Sequence, residues 1–232
     1  MKKRIYIIGA TILFMMGANS CSNSFYDVNN NPNSAIDVPS DLILPAALVS
    51  TSTYVNTRFQ FLNLWMGYWN WSGNYSISTS DKNYQFQTSY HNDVWTAMYA
   101  GQLNNYQTID TKAAAANQPF VQGMAKIMKA FCTQYLVDTY NNVPYSDALK
   151  GTTSITPKYD DAKTIYEDLI VQLDAGLALL KTAQGLLDKG ATYNPGSNDI
   201  MFKGYVKLWQ KFANTVKLRI AFRKSEKSGR DA

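Results

Sequence analysis

Apolar residues recur along this chain at intervals of three and four, the spacing of one helix face. Val94, Trp95, Met98, Tyr99, Leu103 and Tyr106 follow it up to about Ile109. Met124, Ile127, Met128, Phe131, Tyr135 and Leu136 mark a second helix; Ile165, Leu169, Leu173, Leu177 and Leu180 mark a third. Leu208, Trp209, Phe212, Val216 and Ile220 mark a fourth. The pattern predicts four long helices over 90–110, 120–140, 160–187 and 203–225. An earlier, interrupted helix starts at Ser40-Asp41, whose side chains suit a cap, and runs to about Trp69. Residues 70–89 break the period with Gly, Asn, Ser and Asp and read as a loop, and Gly190 stands where the third helix should stop. No segment reads as a strand of any length. The expected fold is all-α: helical pairs of the tetratricopeptide-repeat type with long irregular loops, each pair burying its face on the next.

The first twenty residues have a different pattern. Lys2, Lys3 and Arg4 precede an apolar run over 5–16, and small or polar residues lead into Cys21. This is the layout of an export signal, with an apolar run too short to span a bilayer. Its ending at a cysteine resembles a lipoprotein signal, in which cleavage precedes the cysteine and the sulfur is acylated. Residues 1–20 are expected to be that signal, 21–40 an extended tether rich in Asn, Ser and Pro, and 41–232 the folded domain. No later stretch approaches 18 uninterrupted apolar residues, so lipid on Cys21 is the expected anchor.

The 232 residues are 46% hydrophobic, enough for a sizeable core. Only 17% are charged against 13% aromatic, so polarity is carried by amides, hydroxyls and phenols. The net charge of +5 sits at the two ends, and the body between them is slightly acidic. That leaves no basic stripe for nucleic acid. With one histidine, His91, and two cysteines, Cys21 and Cys132, a metal site or histidine triad has almost no material, and no cofactor motif appears. Cys132 reads as a small buried hydrophobe.

Two groups of side chains suggest chemistry. Trp65, Tyr68, Trp69, Trp71 and Tyr75 fall within eleven residues, beside Asn70 and Asn74. Sugars stack their C–H faces on rings and need amide partners for their hydroxyls. Trp65 and Trp69 also suit a buried helix face, whereas Trp71, Asn74, Tyr75 and Tyr84 are the candidate ligand-binding residues, with Tyr90 a further possibility. The second group is the carboxylates Asp81, Asp93, Asp160, Asp161, Glu167 and Asp168. Glycosidases need such pairs, but most of these precede or open helices, where a carboxylate favours the positive dipole end. An enzyme is not expected.

Several stretches together resemble the SusD/RagB family of outer-membrane nutrient-binding lipoproteins. They are "GMAKIMKAFCTQYLVDTYNNVPYSDAL" (123–149), "TPKYDDAKTIYEDLIVQLDAGLALL" (156–180), "GYVKLWQKFANTVKLRIAFR" (204–223) and "CSNSFYDVNNNPNSA" at the front. Family members are roughly twice this long, so the chain is expected to correspond to an amino-terminal half. The resemblance implies a surface-exposed lipoprotein of the cell outer membrane. It would bind oligosaccharides, or peptides, and deliver them to a SusC-like TonB-dependent transporter. The alternative is a structural adaptor that docks the transporter without binding a ligand. The motif residues Asp138, Tyr140, Pro144 and Tyr145 read as a rigid turn between two helices. Asn214, Lys217 and Arg219 read as ties to loop carbonyls and helix ends.

Overall fold

The apolar stripes become helices, and the residues at their ends explain where they begin and stop. The computed structural model describes residues 38–70, 79–90 and 92–228. The chain divides into two compact units, Met1–Val38 and Pro39–Ala232. The expected signal, Cys21 and most of the expected tether lie outside the described residues, as do His91, Trp71, Asn74 and Tyr75. Within the second unit the α-helices are α1 (Ser40–Arg58), α2 (Gln60–Trp65), α3 (Thr79–Lys82), α4 (Asn92–Thr96), α5 (Asn104–Ala115), α6 (Pro119–Tyr140), α7 (Ala162–Leu187) and α8 (Val206–Ser228). A π-helical stretch, Ala97–Leu103, joins α4 to α5, so the expected helix over 90–110 is one rod with a wide turn inside it that reaches Ala115.

Local chemistry sets the boundaries. Asp161 caps α7, its carboxylate accepting from the backbone N–H of Lys163 at 2.9 Å and Thr164 at 3.3 Å, which satisfies donors that have no partner inside the helix. Gly190, at φ +64°, takes the left-handed turn after α7. Pro119 opens α6 at a position where its missing N–H costs nothing. The Ser40 expectation is corrected: Ser40 lies inside α1, Pro39 takes the cap position, and no side chain caps the helix. The Ser40 hydroxyl instead donates to Gln118 Oε1 at 3.1 Å.

Helices adjacent in sequence pack against one another, α6 on α7 most extensively, then α5 on α6 and α7 on α8. The α6–α7 contact is close because glycines meet there. A Cβ on Gly176 would lie 2.8 Å from Ile127 Cγ1, and one on Gly123 would lie 3.0 Å from the Gly176 carbonyl oxygen. The stripes of α6 and α7 supply the core, with Ile127, Leu136, Ile165, Leu169, Leu173 and Leu180 essentially inaccessible. Each contributes about 1.5–3 kcal/mol by leaving water. Trp209 is the largest fully buried side chain, and Cys132 is buried as expected. Leu208, assigned by its spacing to the stripe of α8, is partly exposed.

The connection from α6 to α7 carries the only strand pairing among the described residues. Val143–Pro144 (β1) pairs antiparallel with Tyr159–Asp160 (β2), Val143 opposite Asp160. The expected rigid turn is there. Tyr99 donates its hydroxyl to the Pro144 carbonyl at 2.6 Å, and the Asp160 carboxylate accepts from the backbone N–H of Tyr145 and Ser146. Tyr140 sets its ring edge-on to Trp95, and Asp138 accepts from Tyr166 and pairs with Arg223. The ties from α8 differ from expectation. Lys217 reaches Asp174 on α7 at 2.5 Å, and Arg219 donates to Gln134 Oε1 on α6 while lying over the rings of Phe131 and Tyr135. They join helix to helix, because the facing surfaces are helical sides and not loop ends.

Candidate functional site: an exposed aromatic surface

The helix that begins the ring-rich stretch ends at Trp65, so Tyr68 and Trp69 stand beyond it. The expectation that Trp69 belongs to a buried helix face is corrected: half of its surface is exposed, and Tyr68 is more exposed still. Trp65 is half-buried and organises its surroundings. Its indole N–H donates to the Asp81 carbonyl at 3.0 Å, which holds the segment around α3 against α2. Tyr90 donates its hydroxyl to Asp81 Oδ1 at 2.5 Å from the other side. Burial, then the hydrogen bond to Asp81 and its charge, push that hydroxyl above its ordinary pKa, so Tyr90 acts as a neutral donor.

Five rings cluster on this frame. Phe61 meets Trp65 edge to face at 4.6 Å between centroids; Trp65 lies 5.4 Å from both Tyr84 and Phe86; Phe86 lies 4.9 Å from Tyr90. Such geometries add about 0.5–1.5 kcal/mol per pair beyond area burial. Tyr84 is the candidate residue the structure describes. The residue is 59% exposed although its ring is flanked by Trp65 and Phe86, and its backbone stands at φ +53°. That conformation costs about 1–3 kcal/mol for a residue with a side chain and persists only when the surroundings hold it. Phe86 is also more than half exposed. Phe86 is not among the rings expected from the sequence, although the Tyr-x-Phe alternation beside Asn83, Gln85 and Gln87 is the signal that marks it.

The second aromatic group, Trp95 with Tyr99, Tyr140 and Tyr159, packs at 4.9–6.0 Å between centroids around the β1–β2 turn. Three of the carboxylates weighed for acid–base work make contacts within the scaffold. Asp161 caps α7, Asp93 pairs with Arg58 at 2.9 Å, and Asp160 gathers three donors from Tyr145 and Ser146. These contacts hold Asp160 below the ordinary carboxylate range against the opposing effect of desolvation. No group of three or more His, Cys, Asp or Glu side chains placed to hold a metal occurs among the described residues. Nor, among them, is any helix long and apolar enough to cross a membrane.

The described residues thus form a body of packed helices that carries exposed rings on short segments held by hydrogen bonds. The chain belongs to the SusD-like family: the family model described as "Starch-binding associating with outer membrane" matches residues 29–232. Among solved structures it is similar to a SusD/RagB family protein of Bacteroides thetaiotaomicron, at 22% identity and TM-score 0.62, over 81% of this chain and 38% of that one. It is also similar to a chitin-binding protein, at 29% identity and TM-score 0.55, over 67% of this chain and 32% of that one. A chitin-binding SusD homologue of Flavobacterium johnsoniae matches at 24% identity and TM-score 0.51, over 60% of this chain and 28% of that one. The chain thus spans between 28% and 38% of the length of these relatives. No curated protein matches it.

Proposed function

We propose that the protein captures oligosaccharides at the cell surface and hands them to a SusC-like TonB-dependent transporter of the outer membrane. In this reading residues 1–20 are a lipoprotein signal, lipid on Cys21 holds the mature chain to the membrane, 21–40 is the tether and 41–232 the SusD-like domain. Capture breaks no bond. The observation that carries the reading is the Tyr84 ring, held open to solvent between Trp65 and Phe86. A platform of that kind suits the C–H face of a pyranose, and Trp71, Asn74 and Tyr75 complete the proposed site with two further rings and an amide. The family's description as starch-binding and the 29%-identical chitin-binding relative support a glycan as the solute.

The test is quenching of tryptophan fluorescence by malto-oligosaccharides and chito-oligosaccharides. Saturable quenching with one series is expected, weakened about tenfold, or ~1.4 kcal/mol, in Tyr84→Ala and in Trp71→Ala. No binding of any glycan, with a transporter barrel still retained in pull-down, would replace this reading with that of a docking adaptor. Replacing Cys21 by Ser is expected to release the protein from membranes, and continued tight association would sink the anchor.

A further inference from the structure

A cavity of about 540 Å³ opens between α5, α6, α7 and the β1–β2 turn, apart from the ring surface. Its walls carry Leu103, Leu149 and Ile165 as apolar lining and Lys126, Lys129 and Asp168 as charges. The charges do not cancel locally. On one wall Lys126 and Lys129 share a single carboxylate, Asp110, at 3.3 and 3.4 Å, and Gln122 donates to the same group. Lys129 also donates to Gln107 Oε1 at 2.5 Å. Two ammonium groups against one carboxylate leave one positive charge, on side chains about three-quarters buried. On α7, Asp168 accepts from the Tyr145 hydroxyl and from Gln172 Nε2 at 3.2 Å. Both partners are neutral, so its negative charge also lacks a counterion among the contacts it makes. The other charged lining groups are matched: Lys150 with Asp147 at 2.8 Å, Asp160 with Lys158 at 3.8 Å.

We propose that this cavity is a second binding site, independent of the glycan surface, for a small zwitterion of the amino-acid or dipeptide class. The ligand carboxylate sits at Lys126 and Lys129, its ammonium at Asp168, and its aliphatic part against Leu149 and Ile165. The volume lies in the range of small-molecule pockets and accommodates a dipeptide. Half-buried ions lacking a full complement are costly, and a ligand bearing both opposite charges removes both deficits together. Burial draws the Lys129 ammonium below its ordinary pKa, Asp110 opposes the shift, and Lys126 adds to it; an anion beside Lys129 acts in the same sense as Asp110.

The test is calorimetric titration of the full chain with L-alanine and L-alanyl-L-alanine, each also as its N-acetyl and its C-terminal amide form. The free zwitterion is expected to bind saturably, and each blocked form about tenfold or more weakly. The stronger of the two zwitterions identifies amino acid or dipeptide as the source. In Asp168→Asn the penalty for acetylation disappears while the penalty for amidation stays; in Lys129→Met the reverse holds. Circular dichroism checks that each variant folds, and Lys126→Gln serves in place of Lys129→Met if that one does not. No saturable binding, binding indifferent to both blocking groups, or variants with unchanged preferences would each overturn the assignment. Trp71→Ala leaves these titrations unchanged, so failure of the glycan reading and failure of this one are told apart.

Discussion

Trp209 donates its indole N–H to Asp199 Oδ2 at 2.7 Å, and both residues are fully buried. The same carboxylate accepts from the backbone N–H of Met201, Phe202 and Gly204 at 2.9–3.1 Å, fixing the turn that leads into α8. Asp199→Ala strands four donors, three on the backbone and one on the largest core side chain. A loss of about 3 kcal/mol in denaturant unfolding is expected, with Asp199→Asn, which keeps one acceptor oxygen, losing roughly half as much.

Glycines on α7 are expected to divide by what surrounds them. At Gly176 an added methyl meets Ile127 Cγ1 at 2.8 Å, so Gly176→Ala pushes α6 and α7 apart and destabilises by about 1–3 kcal/mol. Gly185, on the same helix, has nothing within 4 Å of an added Cβ. Gly185→Ala is expected to stabilise by up to about 1 kcal/mol through helix propensity. Thermal melts of the two variants should move in opposite directions.

Burial pushes the Cys132 thiol up from 9.0 to about 12. A native protein treated with a thiol reagent at pH 8 is expected to leave Cys132 unmodified, whereas the unfolded chain reacts. The linkage follows from the same shift. Between pH 9 and 12 the folded state holds a proton that the unfolded state has released, so stability falls as pH rises through that window. Tyr54, pushed from 10.0 to about 12 chiefly by burial, acts in the same sense above pH 10. Urea midpoints at pH 8 and pH 10.5 check the direction, and Cys132→Ala should flatten the pH dependence if it tolerates the lost sulfur.

Arg219 spans 85 residues to donate twice to Gln134 Oε1, with its guanidinium 5.0–5.1 Å from the ring centroids of Phe131 and Tyr135. Lysine keeps the charge and loses both the fork and the flat stacking surface. Arg219→Lys is therefore expected to cost about 1–2 kcal/mol, read as a lower unfolding midpoint with unchanged helix content.

The helices were legible because their signal is local. Leu169, Leu173, Leu177 and Leu180 repeat every three or four residues, and Asp161 announces its own cap. The π-helical turn at Ala97–Leu103 was not legible, since its residues keep the same apolar spacing as an α-helix. Among the rings, Tyr68 and Trp69 continued the helical period on paper, yet α2 ends at Trp65 once Met66 and Gly67 turn the backbone. Asp199 and the charges of the cavity were invisible for another reason. Asp199 lies in a stretch that reads as an ordinary polar loop, and Lys126 and Lys129 look like a solvated helix face until α5 and α7 close over them. Only tertiary packing distinguishes a paired surface lysine from one facing a cavity.

The links from α1 to much later residues have a temporal consequence. Ser40 is hydrogen-bonded to Gln118, and Asp41 accepts from the hydroxyl of Tyr193, 152 positions downstream. As a nascent polypeptide emerges amino end first, the hairpin of α6 and α7 finds its mate within a few dozen residues and zips early. The leading helix can meet α5 sooner, but its hydrogen bond to Tyr193 closes only after that residue has been made, so its amino end is secured later than its middle.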